Sequence, residues 1–105
     1  MYLRGARLAQ VNIWCQRCGS GEVETNFKDM EATQEERLKT MPTSRADKSP
    51  GEWNRFIITL RGDRVDVSLN GTQVIQGARV KDIPAEGPIT MQNRKDAVEF
   101  RNVFI

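Results

Sequence analysis

Hydrophobic and polar residues alternate with a period of two through most of the second half of the chain. Phe56, Ile58 and Leu60 alternate with Arg55, Ile57 and Thr59, and Val65, Val67 and Leu69 alternate with Asp66, Ser68 and Asn70. Such alternation marks strands with one face on a core and the other on solvent or a ligand. Arg61-Gly62-Asp63-Arg64 supplies a turn between the two, and Asn70-Gly71 predicts a tight hairpin, because a primed turn needs residues that tolerate positive φ. Residues 72–76 should then pair back onto 65–69. Gly87-Pro88 breaks the chain before 89–92, and residues 98–105, rich in β-branched and aromatic side chains, read as a last strand. The pattern predicts roughly five or more antiparallel strands after residue 51.

The first half is less regular. Residues 1–4 and 9–15 read as two strands joined by Gly5-Ala6-Arg7; in the second, Gln10, Asn12 and Trp14 share one face and Val11, Ile13 and Cys15 the other. Gly19-Ser20-Gly21 is a turn leading into Glu22-Val23-Glu24. From residue 29 good helix formers dominate, Thr33 and Glu36 have capping-box spacing, and a short helix within about 30–40 should end before Pro42. Residues 43–50 form a polar loop.

Composition fits one domain spanning 1–105: the 105 residues, 38% hydrophobic and 29% charged, suffice for one modest core. Sixteen Lys and Arg against 14 Asp and Glu leave a net charge of +2, too small to imply nucleic acid or an anionic membrane as partner. No apolar run approaches the roughly 20 residues of a membrane span, and the N-terminus lacks the regions of a signal peptide, which read alone predicts a cytoplasmic chain. Cys15-Gln16-Arg17-Cys18, without histidine or a second cysteine pair, cannot complete a four-ligand zinc site. A local disulfide and a core position for Cys15 are the open readings, with redox chemistry the least supported by context. Arg61-Gly62-Asp63 spells an adhesion tripeptide but reads as a turn.

Several segments together carry a family resemblance: Met1-Tyr2-Leu3-Arg4-Gly5, Val11-Asn12-Ile13-Trp14-Cys15, Gly19-Ser20-Gly21-Glu22-Val23, Ala46-Asp47-Lys48, Gly51-Glu52-Trp53-Asn54-Arg55-Phe56, Leu69-Asn70-Gly71 and Phe100-Arg101-Asn102-Val103. Over nearly its whole length the chain resembles the 3-keto-disaccharide hydrolase family. The resemblance implies an all-β fold, an antiparallel β-sandwich of the concanavalin-like jelly-roll type. It also implies that this sequence is the C-terminal part of a longer sandwich, because Met1-Tyr2-Leu3-Arg4-Gly5 corresponds to the middle of a family segment. Members are typically exported, to the periplasm or outside the cell. A sandwich missing strands exposes apolar faces and unpaired edges, so a marginally stable monomer or a homodimer through those edges is expected; the alternative is a minimal form closed on itself.

The implied chemistry is cleavage of a glycosidic bond in a 3-keto sugar, with a carbohydrate as ligand. It needs a base, a group polarising the ketone, and an acid or a divalent metal for the leaving group. The chain has no histidine. Glu22 is the best-placed carboxylate for the base, the other reading being a solvated strand residue. Arg4 is a candidate for the ketone or a sugar hydroxyl, and equally for an inter-strand ion pair. Gln10 and Asn12 can hold sugar hydroxyls, although relatives often carry Glu where Gln10 stands. Trp14 and Trp53 read as core before sugar platforms. Where relatives show a histidine-containing turn, this chain has Gln92-Asn93-Arg94-Lys95. Gln92 still matches and Arg94 can bind a hydroxyl-rich or anionic ligand, but a permanently protonated arginine is no general base. That departure keeps a non-catalytic carbohydrate-binding module, or an inactive truncation, as the alternatives.

Overall fold

The computed structural model describes residues 1–6, 9–13, 18–25 and 32–105. It contains β1 (Gln10–Val11), β2 (Val23–Glu24), α1 (Gln34–Leu38), β3 (Phe56–Arg61), β4 (Arg64–Leu69) and β5 (Thr72–Arg79). All sheet pairing between these strands is antiparallel: β1 with β2 in a ribbon, and β3-β4-β5 in a three-stranded sheet. The fold is all-β, as expected.

The two predicted hairpins are present. Asn70 (φ 52°) and Gly71 (φ 85°) both take the left-handed conformation that a primed turn demands, and Leu69 pairs with Thr72 across it. Asn70 does more than turn the chain: its amide donates to the Ala46 carbonyl at 2.7 Å and to Asn54 Oδ1 at 2.8 Å, tying the polar loop to the sheet. At the other turn Asp63 pairs with Arg64 at 3.6 Å and Arg79 at 3.4 Å, so the adhesion-like tripeptide is structural.

Val65, Val67 and Leu69 of β4 and Val74, Ile75 and Ala78 of β5 are fully buried, packed against Val11 and Val23 of the ribbon. The core thus lies between ribbon and sheet. Burial of Val74 and Ile75 in succession departs from strict alternation. The β4–β5 register shifts on both sides of Val67, a bulge that turns consecutive side chains inward. Gly77 (φ 66°) donates its N–H to Asp66 Oδ1 at 2.7 Å, fixing the irregularity.

Thr33 caps α1 by accepting the Glu36 N–H at 3.2 Å. The Glu36 carboxylate reaches across to Arg64 (3.8 Å) and Arg79 (3.7 Å), fastening the helix to the β4–β5 pair.

Three expectations fail. Residues 1–4 form no strand: Tyr2 makes isolated bridges to Gln10 and Thr90. Residues 89–92 contribute only that bridge. Residues 98–105 join no ladder, and Asn102 takes a left-handed φ of 50°, so three strands follow residue 51 among the described residues where roughly five or more were expected. Their composition suits a strand, yet a strand exists only by pairing, and no described segment lies in register beside them.

Candidate functional site

The ribbon builds a polar face by alternation. Val11 and Val23 point into the core, so Gln10, Asn12, Glu22 and Glu24 are presented on its other side. Gln10 lies opposite Glu24, and beyond the strands Asn12 N–H donates to the Glu22 carbonyl at 2.9 Å while Gly21 N–H donates to the Asn12 carbonyl at 2.9 Å.

Three side chains singled out in the sequence converge here. Gln10 Nε2 donates to Asn12 Oδ1 and, at 3.3 Å, to Gln92 Oε1, a residue 82 positions away. Asn12 Nδ2 points to Glu24 Oε2 at 3.5 Å. Glu24, which the sequence reading passed over in favour of Glu22, is therefore part of the cluster. The signal was available, since Glu24 flanks Val23 as Glu22 does. Asn12 is buried and Ile13 is 42% exposed, so the alternation expected to continue through residue 15 reverses after Asn12. Cys15 and Trp14 lie outside the described residues; Cys18 is half-buried.

The turn that delivers Glu22 is pinned from a distant loop. Asp47 accepts from the Ser20 backbone N–H at 2.9 Å and from the Ser20 hydroxyl. Ser20 is buried, and a side chain on Gly21 (φ 111°) would meet Val74 Cγ2 at 2.9 Å, so glycine lets the turn lie directly on the core. Asp47→Ala should cost about 2–3 kcal/mol, because two hydrogen bonds to a carboxylate are lost at a buried site. A shift in the urea midpoint reads this directly, and an unchanged midpoint would show the pin to be dispensable.

The remaining candidates stand apart. Arg4 (φ 49°) donates to the Pro84 carbonyl at 3.2 Å and lines a depression with Asp63, Arg79 and Lys81, away from the amide cluster. Arg94 is exposed, two residues beyond Gln92. Trp53 is 41% exposed and not core, but the Arg101 guanidinium lies 3.8 Å from its ring centroid and occupies one face as a cation–π partner. Nearby, the Met1 ammonium donates to the Val11 carbonyl at 2.8 Å, and burial pushes its pKa below the ordinary amino-terminal value.

A family model described as the 3-keto-alpha-glucoside-1,2-lyase-like domain matches residues 6–105. The chain belongs to this family. No curated protein and no solved structure matches the chain. Among the described residues no three Cys, Asp or Glu side chains converge to hold a metal. The hydrogen-bonded cluster offers one carboxylate, Glu24, and three amides. No helix among the described residues is long and apolar enough to cross a membrane.

Proposed function

We propose that this chain is a carbohydrate-active protein that cleaves the glycosidic bond of 3-keto glycosides by elimination and hydration. The ketone at C3 acidifies the C2 proton. A base takes that proton, the electron pair moves through the enolate to form a C1–C2 double bond, and the C1–O bond breaks with the leaving oxygen gaining a proton. Water then adds, hydroxyl to C1 and hydrogen to C2, so the net change is hydrolysis without redox. Glu22 is the base in this reading, half-buried on the turn that Asp47 fixes. Gln10, Asn12 and Gln92 hold sugar hydroxyls through their paired donors and acceptors, and Glu24 orients Asn12. Arg4 and Arg94 are ligand-binding candidates at the margin.

The observation that carries the proposal is the convergence of Gln10, Asn12 and Gln92 on the hairpin bearing Glu22 and Glu24, in a chain whose family is described by this chemistry. Export to the periplasm or outside the cell goes with the same reading. The test is turnover of a 3-keto glucoside by the purified chain, with and without added divalent metal. Release of the aglycone sugar supports the enzyme. Saturable binding without release favours the second reading, a non-catalytic carbohydrate-binding module, to which the absence of histidine and the Gln92-Asn93-Arg94-Lys95 segment lend weight.

A further inference from the structure

An amide side chain carries donors at one end and an acceptor at the other, and its neighbours decide which end faces which way. The array on the ribbon includes one group without that freedom. The Glu24 carboxylate can only accept, so the end of Asn12 that faces it at 3.5 Å is the NH2. Asn12 is buried, which leaves its carbonyl to a protein donor, and Gln10 Nε2 supplies one. The same nitrogen meets Gln92 at 3.3 Å, so Gln92 turns its carbonyl oxygen inward. Each contact fixes the next. The reverse arrangement would set the Asn12 carbonyl against the Glu24 carboxylate, acceptor on acceptor, and forfeit a charge-assisted bond. Two ends are left over, Gln10 Oε1 and Gln92 Nε2, which make no hydrogen bond among the described residues, and both side chains are half-buried.

We propose that Glu24 is a positioning residue that sets the polarity of the whole array, so that Gln92 meets the sugar as a hydrogen-bond donor and Gln10 meets it as an acceptor. The inference rests on the reading of this array as a sugar site, and it narrows the ligand. The sugar atom over Gln92 is an acceptor, and the group over Gln10 is a hydroxyl that donates. A ketone cannot donate, so the keto oxygen of a 3-keto sugar fits the Gln92 end alone. Glu24 itself acts through Asn12 and Gln10, without touching the ligand.

Exchange of the side-chain NH2 protons, followed by NMR on the isotope-labelled full chain without ligand, reads the polarity directly. The NH2 groups of Asn12 and Gln10 should exchange about tenfold or more slowly than that of Gln92, which donates to nothing in the array. Glu24→Lys puts a donor where the acceptor stood. Asn12 and Gln10 then turn their carbonyls the other way, the Gln92 NH2 enters the array, and the order inverts to a slow Gln92 and a fast Gln10. Glu24→Gln, able to donate or accept, should bring the Gln10 and Gln92 rates together; being an isostere at an exposed position, it carries the comparison where Glu24→Lys misfolds. A fast Gln10 and slow Gln92 in the parent, or an order unchanged by the substitutions, would overturn the inference. Methyl 3-keto-glucoside is then titrated into the same sample. Slowed exchange at the Gln92 NH2, with Kd raised about tenfold in Glu24→Lys, is the expected result. A sugar that binds yet leaves Gln92 exchange unchanged would overturn the inference. The expected exchange order without any sugar binding would support the polarity and refute the sugar reading, so the two failures are told apart.

Discussion

Gly87→Ala is expected to destabilise the fold by about 3 kcal/mol, the upper end of the range for forcing a group into filled space. An added Cβ would lie 2.2 Å from the Arg4 carbonyl oxygen, 2.6 Å from its carbon and 3.0 Å from its Cα, all backbone atoms without a rotamer to escape into. The crossing is held on both sides: Gly5 N–H donates to Pro88 O at 2.7 Å, Tyr2 N–H to Thr90 O at 2.8 Å, and Thr90 N–H returns to Tyr2 O at 3.1 Å. Relief of the clash therefore means parting these bonds, each worth about 1 kcal/mol. In a domain of this size, whose stability is about 5–10 kcal/mol, the loss is large. Gly62→Ala is the comparison, since at φ 58° its Cβ would meet nothing within 4 Å and only the left-handed backbone, about 1 kcal/mol, is penalised. Equal urea midpoints for the two variants would show that residues 2–5 and 87–90 do not pack in solution as described.

Gly87 also shows where sequence reading stops. Read locally, Gly87-Pro88 is a chain breaker, and it is one; that the glycine is needed because another backbone crosses it depends on a contact with Arg4 far away in sequence. Short-range features were legible for a physical reason. Positive φ at Asn70 and Gly71, the Thr33 cap and the faces of β3 and β4 are set by residues within a few positions of each other. The bulge that buries Val74 and Ile75 together is fixed by Asp66 on another strand, so counting by twos through β5 could not reveal it. At 98–105 the propensity is right and the partner is wanting, because a helix carries its own hydrogen bonds and a strand does not. The same logic applies to the site. Gln10 and Asn12 were legible as a polar face, and Gln92 only through a family resemblance, since nothing in the local pattern says that residue 92 returns to residue 10.

Glu22→Gln should lower turnover of a 3-keto glucoside by about 10²–10⁴-fold, the contribution of a positioned general base. The substitution keeps the side chain's size and its place after Gly21, and removes the capacity to accept the C2 proton. Folding should be unaffected, because among the described residues Glu22 is held through its backbone carbonyl, which accepts from Asn12 N–H, and not through its carboxylate. Glu24→Gln separates the two carboxylates of β2 and its approach. Glu24 is exposed and meets Asn12 Nδ2 at 3.5 Å, so its loss should loosen the amide array and raise KM while kcat falls little. Reversal of the two patterns would transfer the base to Glu24, which the hairpin presents on the same face. Equal and small effects of both would remove the ribbon from the chemistry, leaving Gln10, Asn12 and Gln92 as a binding array. Gln10→Ala then becomes the informative variant, since Gln10 joins the hairpin to Gln92 and a sugar held by that array should bind more weakly without it. Asn12→Ala serves less well: Asn12 is buried, so its truncation changes packing and hydrogen bonding together.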